Sequence, residues 1–407
     1  MPPLDRRILV TGTFPIEQPQ HGGQKRTRAI VDAYRRRFAH VEHVAVFEPR
    51  HYGSAASPND IPLPSRLADG VPHHPVVGDL IAGHAIAEDP EVRARFTALL
   101  RSFRPDIIHV ECPFPWLGLG PLLADEGLAP RVVFGSENIE APLREQVMRA
   151  FGVDERIIEE AVGEIDRLER ALSGDCDLLA ACTPSDLKAH RAMGATRTVL
   201  APNGMSPLRP DPAERAHWRE RFRAAGVERI ALFVGSGHMP NQVGFDEVVG
   251  RGLGFLRRHE RLVLAGSIGD AVVGRLGPAD DSIEAATFPL RAENAGRLPE
   301  PRLQGLIAEA DVLLLPITAG GGSNLKTAEA ILADTRVVAT TTALRGFEWF
   351  ADFPNVWVAD TRDDFHRAIR EAFASPLRPR SPEQAALAET VTWEHCLAPL
   401  VEAVAQL

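Results

Sequence analysis

Residues 311–330 read Asp-Val-Leu-Leu-Leu-Pro-Ile-Thr-Ala-Gly-Gly-Gly-Ser-Asn-Leu-Lys-Thr-Ala-Glu-Ala, and this stretch decides the fold class. An apolar run ends at Pro316, three glycines follow, and a helical pattern begins near Asn324. A buried strand that leads through a glycine-rich loop into a helix is typical of parallel α/β sheets. The unpaired amides at such a helix start, together with the helix dipole, favour a phosphate group. The stretch therefore predicts a Rossmann-like domain that carries a phosphate site.

The start of this predicted helix also carries two charged side chains. Lys326 places a full positive charge in the first turn, close to where a phosphate would lie. Glu329 follows three residues later on the same helical face, where it could accept hydrogen bonds from sugar hydroxyls. The other interpretation is a glycine-rich turn with an exposed lysine–glutamate pair. Only three of the 45 basic residues are lysines, which favours a specific role for Lys326 because lysine supplies a compact point charge.

The same alternation of apolar runs and helical patterns extends along the whole chain. Continuous apolar runs of this kind predict parallel strands that helices cover on both faces. A Pro-Asn-Gly turn at 202–204 separates two such series. We therefore predict two Rossmann-like domains, residues 1–204 and 205–389, with ligands at the carboxyl ends of the strands. The predicted strands are 7–11, 41–47, 106–111, 131–134, 178–182, 198–201, 230–234, 262–265, 311–315, 337–340 and 355–359.

Length, composition and charge exclude several classes of protein. The chain has 407 residues, of which 44% are hydrophobic and 25% are charged, so we expect two globular domains rather than a disordered or coiled-coil protein. A net charge of −10 argues against general nucleic-acid binding. No apolar run reaches about 18 residues, and the start lacks the apolar core of a secretory signal. Because the four cysteines are also scattered, we expect a cytoplasmic protein.

The glycine-rich stretch resembles the donor-binding motif of a known family, the retaining GT-B glycosyltransferases of family 4 type. Most members carry an E-x7-E pair, in which Glu329 would be the second glutamate and Gly321 stands in place of the first. This chain is more similar to the branch that reads G-G-G-S-N-x-K-x-x-E. The resemblance implies an α/β protein of the GT-B fold, with two Rossmann-like domains facing a central cleft. It also implies that the first domain binds the acceptor and the second binds a nucleotide-diphosphate sugar.

The resemblance implies roles for residues along most of the chain. Paired glycines after the first strand would approach the donor phosphate or the acceptor. A Gly-Ser pair at 235–236 would face the diphosphate, and a Gly-Arg-Leu segment at 296–298 would contact the base. A final helix, about residues 390–407, would pack back on the first domain. The donor-binding residues implied in this way are Gly22, Gly23, Gly235, Ser236, Arg297, Leu298, Gly321, Gly322, Ser323, Asn324, Leu325, Lys326 and Glu329.

The resemblance implies that Lys326 and the amides of residues 322–325 stabilise the charge on the leaving diphosphate. No residue stands out as a nucleophile. Glu137 and Asn138 follow a predicted strand of the first domain, near where related enzymes often carry a histidine that contacts the donor sugar. We take both as catalytic candidates, the alternative being a helix cap. Retention of configuration is implied, without a metal or any cofactor beyond the nucleotide-sugar co-substrate. Asp175-Cys-Asp177 formally matches a D-x-D metal motif, but turn chemistry explains it better.

Partners and alternative functions follow from the same features. The acceptor would be a small molecule, a saccharide or a lipid-linked group. The basic first helix, from Gln24 to about Arg37, favours a solvated face over peripheral membrane contact. A GT-B sugar-nucleotide epimerase that uses Glu111 and Glu137 as acid–base carboxylates stays open, as does a non-catalytic nucleotide-sugar-binding protein. A nicotinamide dehydrogenase is disfavoured because the G-x-G-x-x-G spacing is absent after the first strand.

Overall fold

The computed structural model describes residues 2–19, 21–52, 57–68, 75–274, 283–319 and 324–407. The chain divides into two compact units. The first consists of Met1–Asn203 together with Trp393–Leu407, and the second consists of Gly204–Thr392. Each unit has its own parallel sheet and its own hydrophobic core.

The first unit is built on a seven-stranded parallel sheet. Its strands are β1 Leu4–Gly12, β2 Phe38–Phe47, β3 Ile61–Pro62, β4 Ile107–Glu111, β5 Arg131–Ser136, β6 Leu178–Ala181 and β7 Thr198–Leu200. They lie in the order β3-β2-β1-β4-β5-β6-β7, so the order of the strands reverses between β1 and β4. In parallel sheets of this kind a ligand binds outside the carboxyl ends of the strands at such a switch point.

Nine helices of the described residues up to Asn203 connect these strands. They are α1 Gly22–Arg37, α2 Pro49–Tyr52, α3 Ser65–Ala68, α4 Pro75–Glu88, α5 Pro90–Phe103, α6 Trp116–Asp125, α7 Glu140–Ala150, α8 Glu155–Asp175 and α9 Pro184–Ala192. Side chains that alternate along the strands enter two core clusters. Leu9 and Ile108 pack into one cluster, whereas Ile8 and Ile107 pack into the other, so both sheet faces are covered.

The second unit repeats this architecture with six parallel strands. They are β8 Arg229–Val234, β9 Glu260–Ala265, β10 Ala292–Gly296, β11 Val312–Leu315, β12 Arg336–Ala339 and β13 Val356–Val358. Their order is β10-β9-β8-β11-β12-β13, which places the switch point between β8 and β11. The helices in this part are α10 Pro212–Ala224, α11 Met239–Gly244, α12 Ser267–Gly274, α13 Ile283–Arg291, α14 Glu300–Glu309, α15 Leu325–Ala333, α16 Arg362–Ala374 and α17 Pro382–Glu389.

The final helix, α18 Trp393–Ala405, packs within the first unit. Leu397, Leu400 and Val404 are buried at one face of this helix, at a spacing of three and four residues. They join the core cluster that contains Ile30 and Tyr34 of α1. The end of the chain therefore completes the core of the unit in which the chain begins.

Two strands lie outside the sequence prediction, β3 and β10. β3 has only two residues and pairs with the end of β2. β10 reads Ala-Glu-Asn-Ala-Gly and has no apolar run, because it is an edge strand whose residues are half-buried or exposed. Its backbone pairing with β9 defines it as a strand, and side-chain patterns do not report such pairing.

Candidate active site

The switch point of the second unit brings several predicted donor-binding residues to one edge of the sheet. Gly235 and Ser236 directly follow β8, and Pro316 begins the glycine-rich segment after β11, the neighbouring strand. Arg297 and Leu298 follow β10, which lies two strands from β8 on the same edge. Ligands of parallel α/β sheets bind at this edge, so the fold itself gathers these segments.

Backbone packing shapes the loop after β8. The amide of Gly235 donates a hydrogen bond to the carbonyl of Ala265, at the end of β9. Gly266 has a φ of +92°, and a Cβ atom there would lie only 2.2 Å from the carbonyl oxygen of Gly235. Only glycine fits this approach. Ser236 is exposed, and its hydroxyl accepts a hydrogen bond from the Asn241 side chain at 3.1 Å.

Helix α15 begins immediately after the glycine-rich segment of the sequence. The Asn324 side chain caps it by accepting a hydrogen bond from the amide of Lys326 at 3.1 Å. The amide of Leu325 precedes this capped position at the positive end of the helix dipole. Gly321, Gly322 and Ser323, which are predicted to bind the donor, lie outside the described residues.

The orientation of α15 is fixed by its buried face. Thr327 and Ala328 are fully buried, and the Thr327 hydroxyl donates to the carbonyl of Ala343 at 2.5 Å. Lys326 and Glu329 are half-buried on the remaining face. The helix therefore presents both charged residues away from the core, at the same edge as the loop after β8.

The segment after β10 has the backbone geometry of a tight turn. Gly296 has a φ of +64°, and its amide donates to the Asn294 side chain at 2.9 Å. Its carbonyl accepts from the amide of Gly266 at 2.7 Å, which links this turn to the end of β9. Arg297 is exposed, whereas Leu298 packs against the core of the second unit.

In the first unit, Gly22 and Gly23 form the first turn of α1, near the switch point between β1 and β4. His21 caps this helix by accepting a hydrogen bond from the Gln24 amide. A Cβ atom on Gly23 would lie 3.0 Å from both carboxyl oxygens of Glu137 and 3.0 Å from the ring of Phe14. The structure therefore brings Gly23 and Glu137 together, two residues that the sequence predicted separately.

A fully buried chain of hydrogen bonds lies beside this contact. The Arg26 guanidinium donates to Glu111 Oε1 at 2.6 Å. The other oxygen of Glu111 lies 2.7 Å from His109 Nε2, and His109 Nδ1 lies 2.7 Å from the Tyr34 hydroxyl. A Cβ atom on Gly135 would lie 1.9 Å from Glu111, so glycine there makes room for the carboxylate.

Arg26 also binds residues 201–203, which follow β7 in the first unit. Its Nη1 donates to the Ala201 carbonyl at 2.8 Å and lies 3.2 Å from Asn203 Oδ1. Its Nη2 is buried and has no hydrogen-bond partner among the described residues. The sequence analysis placed Arg26 on a solvated basic helix, and this was wrong because its side chain is 1% exposed. The signal was available, since Arg26, Ile30 and Tyr34 are spaced by four residues on one face.

Glu111 and Glu137 sit in opposite electrostatic environments at the ends of neighbouring strands. Burial alone raises the pKa of Glu111, but Arg26 and His109 more than offset this and hold its pKa below the ordinary value. Burial and then the nearby Glu111 carboxylate raise the pKa of Glu137 to about 8. The same edge thus favours the ionised form of Glu111 and the protonated form of Glu137.

Hydrogen bonds fix the loop that carries Glu137 and Asn138. Ser136 donates its hydroxyl proton to the Asn138 carbonyl at 2.8 Å, and His190 Nε2 lies 2.7 Å from the same hydroxyl. The second ring nitrogen of His190 lies 2.9 Å from the Ser173 hydroxyl. Burial lowers the pKa of His190 to about 4. Ser136 is therefore a structural hydroxyl rather than a nucleophile, because its proton is directed at a backbone carbonyl and it is buried.

A second ion-pair cluster flanks the loop. Arg144 on α7 lies 2.6 Å from Glu140 and 2.9 Å from Asp79. Glu140 also receives a hydrogen bond from the Asn138 side chain at 3.3 Å. Buried Glu169 accepts the backbone amides of Glu140 and Ala141, and this caps α7. The Glu137 loop is thus held on one side by Ser136 and His190 and on the other by the contacts of Glu140. All of these residues belong to the first unit.

The D-x-D sequence lies away from this edge. Asp177 precedes β6, where its carboxylate accepts from the Val132 amide at 2.8 Å and pairs with Arg131 at 2.7 Å. Both partners belong to the start of β5, at the opposite end of the sheet from Glu137. Across the ranges that the structure describes, no group of three or more histidine, cysteine or acidic side chains is arranged to hold a metal ion.

Comparison with known proteins bears directly on the first unit. Residues 21–204 match the family described as "Glycosyl transferase 4-like domain". This part of the chain is therefore similar to that family. It contains the Gly22–Gly23 turn, the buried Arg26–Glu111 pair and the Glu137 loop. No curated protein matches the chain.

Solved structures resemble the chain over nearly its full length. A sucrose-phosphate synthase from Thermosynechococcus elongatus has a TM-score of 0.70 at 16% identity, covering 98% of each chain. Anabaena HepE in complex with UDP-glucose has a TM-score of 0.65 at 13% identity, covering 99% of this chain and 100% of that one. A trehalose-phosphate synthase from Burkholderia vietnamiensis has a TM-score of 0.61 at 14% identity, covering 98% and 100%.

These likenesses establish the fold as GT-B, with two Rossmann-like domains. Together with the match of residues 21–204, they confirm the resemblance to GT-B glycosyltransferases of family 4 type that the sequence motifs indicated. Among the described residues, every helix is too short or too polar to span a lipid bilayer.

Proposed function

We propose that the chain is a retaining, metal-independent glycosyltransferase that moves a sugar from a nucleotide diphosphate to an acceptor hydroxyl. The second unit binds the donor at its switch point, and the first unit binds the acceptor. One observation carries the proposal: α15, which follows β11 at the switch point, presents a half-buried lysine in its first turn, and the sequence immediately before this helix is rich in glycine. This combination suits a diphosphate.

Chemistry at this helix start depends on charge that develops on the leaving diphosphate. Negative charge on the leaving oxygen is greater in the transition state than in the bound donor. The Lys326 ammonium and the Leu325 amide meet that charge from fixed positions, because Asn324 caps the helix and Thr327 anchors it. Such preorganised groups lower the barrier without a nucleophile or a metal ion. Glu329, on the same face, accepts hydrogen bonds from the ribose.

The epimerase alternative requires two carboxyl groups that exchange protons with the substrate. Glu111 is fully buried, ion-paired to Arg26 and hydrogen-bonded to His109, so its ionised form is strongly favoured. Of the two candidates, Glu137 alone stays suited to proton exchange. The geometry therefore favours transfer over epimerisation. A non-catalytic binding protein is distinguished by experiment, since it would not consume the donor.

The test uses the purified chain with a panel of UDP-, GDP- and ADP-sugars, a set of hydroxyl acceptors, and excess chelator. Release of the nucleoside diphosphate and the mass of the product report transfer, and proton NMR of the product reports its anomeric configuration. We expect transfer with retention at a rate that the chelator leaves nearly unchanged. Inversion, or loss of turnover that manganese or magnesium restores, would contradict the mechanism. Donor and acceptor that both remain unconsumed across the panel would contradict the activity.

A further inference from the structure

The carboxyl group of Glu137 differs from those of Glu111, Glu140 and Asp79, which all have ion-pair partners. Its Oε1 is buried and has no hydrogen-bond partner among the described residues. Both of its oxygens face the first turn of α1, at 3.0 Å from where a Cβ atom of Gly23 would be. The neighbouring carboxylates have partners: Glu111 binds Arg26, and Glu140 and Asp79 share Arg144. Glu137 is a half-buried residue whose carboxyl group has one buried oxygen and, among the described residues, no cation of its own.

A second buried polar atom close to Glu137 also lacks a partner among the described residues. It is Nη2 of Arg26, whose positive charge acts on the Glu137 carboxyl group. Buried polar groups in folded proteins are almost always hydrogen-bonded, so atoms left without partners mark a place where a ligand completes the set. Arg26 is 1% exposed, so this group is built into the core rather than placed on the surface.

We propose that Glu137 is an acceptor-binding residue that keeps its proton and donates it in a hydrogen bond to an uncharged oxygen of the acceptor. This inference rests on the proposed function, in which the first unit binds the acceptor. It assigns the acceptor to a chemical class: neutral polyhydroxyl compounds, without a phosphate or carboxylate at this position.

The charge balance around Glu137 favours a neutral acceptor over an anionic one. Arg26 is matched by Glu111, and Arg144 is matched by both Glu140 and Asp79, so the ion pairs already carry one excess negative charge. An anionic group beside Glu137 would add to that excess, and like charges in a buried site are strongly unfavourable. The charged and titratable groups that face Glu137 are Arg26 on α1, Tyr52 on α2, Glu111 and Cys112 at β4, Glu140 and Arg144 on α7, and Cys182 after β6.

The proton on Glu137 also has a measurable effect on stability. Burial and Glu111 raise its pKa from 4.5 to about 8, so the folded chain holds this proton where the unfolded chain releases it. Folding therefore takes up a proton between these two values, and stability falls as the pH rises through that window. Glutamine at this position has no proton to release. The stability of Glu137→Gln relative to the natural chain should therefore rise with pH across the window.

The first arm of the experiment measures thermal unfolding of the full chain from about pH 6 to about pH 9 for the natural protein, Glu137→Gln and Glu159→Gln. Glu159 is exposed on α8 and serves as the control. We expect the difference in unfolding temperature between Glu137→Gln and the natural chain to increase in favour of the variant as the pH rises. The difference between Glu159→Gln and the natural chain should stay constant. If the unfolding temperatures of Glu137→Gln and the natural chain differed by the same amount at every pH, the proposal would be overturned, because Glu137 would then be ionised throughout.

The second arm compares glucose, mannose and inositol, each alone and as its phosphate monoester, with every donor that the protein accepts. We expect kcat/KM to be about tenfold or more higher for the unphosphorylated member of a pair. The acceptor KM of the natural protein should rise above about pH 8, whereas that of Glu137→Gln, which keeps an N–H donor, should stay flat. Preference for the phosphate monoester would overturn the proposal and leave glycosyl transfer intact. Consumption of no donor would contradict the proposed function, and the unfolding curves would still decide the state of Glu137.

Discussion

Lys326 is the side chain on which the proposed chemistry depends most. Replacement by alanine should lower turnover by about 10²–10³-fold, the effect of losing one preorganised charge-stabilising group. Donor affinity should fall less, because the leaving-group charge is larger in the transition state. Lys326→Arg should restore turnover only in part, since a planar guanidinium does not replace a compact ammonium at a helix start. Steady-state kinetics at saturating acceptor measures all three effects.

The control for this prediction is Lys188→Ala, an exposed lysine on α9 in the first unit. It should leave turnover unchanged. A folded Lys326→Ala protein with near-natural turnover would remove the main support for a diphosphate site at α15.

Glu329 tests the ribose side of the same site. Glu329→Ala should weaken nucleoside diphosphate binding by roughly 1–3 kcal/mol, the range for a hydrogen bond to a charged group. Folding should survive, because the residue is half-buried and lies off the core face of α15. Titration calorimetry measures the affinity. If Glu329→Ala weakened the binding of a deoxyribonucleoside diphosphate as much as that of the matching ribonucleoside diphosphate, contact with the ribose hydroxyls would be excluded.

At the scale of elements, the Arg26–Glu111 pair joins α1, β4 and the 201–203 segment. Glu111→Gln should lower the free energy of unfolding by about 3–5 kcal/mol, because it leaves the guanidinium buried without a counter-charge. Glu160→Gln breaks an exposed pair with Arg156 and should cost less than about 1 kcal/mol. Urea unfolding compares the two variants. Equal effects would mean that Arg26 is not buried as described.

Helix α18 supplies a second prediction at this scale. Leu400→Ala removes a fully buried side chain and should destabilise the first unit by about 2–5 kcal/mol. Hydrogen exchange of amides in α1 should become faster, because both helices share one core cluster, while amides in β8 and β9 keep their rates. Leu387→Ala, at a side chain that is 37% exposed on α17, is the control. Unchanged exchange in α1 would contradict the packing of α18 on that helix.

Sequence patterns predicted the elements with apolar runs and could not predict those without them. Continuous runs such as Val312–Leu315 identify strands because burial on both faces demands them. β10 lacks this signal, because an edge strand is held by backbone pairing and does not need an apolar run. The paired glycines were recognisable in the sequence, and the structure shows that a Cβ atom at Gly23 would lie 3.0 Å from the Glu137 carboxyl group and from the Phe14 ring.

The network around Arg26 was not predictable in the same way. Its partners are 85, 175 and 177 residues away along the chain, so no local pattern reports them. The same holds for the proton on Glu137, which depends on the distant Glu111 carboxylate and on burial. Local sequence reveals periodicity and motifs, whereas the charge state of a buried group is a property of the assembled fold.

At the scale of the whole molecule, the two units repeat one topology with one switch point each. The repeat gives two ligand edges of different chemistry. The edge of the second unit has a capped helix start with a lysine, and that of the first has paired glycines, a buried arginine and a neutral carboxyl group. A transferase requires this kind of division, because donor and acceptor are different molecules.

The central claim is that the start of α15 binds a nucleoside diphosphate. Thermal unfolding of the natural chain and of Lys326→Ala, with nucleoside mono- and diphosphates of uridine, guanosine and adenosine, tests it most directly. We predict that one diphosphate raises the unfolding temperature of the natural chain more than its monophosphate does, and that Lys326→Ala reduces this difference. A natural chain that no diphosphate stabilises, or a variant that responds as the natural chain does, would contradict the account.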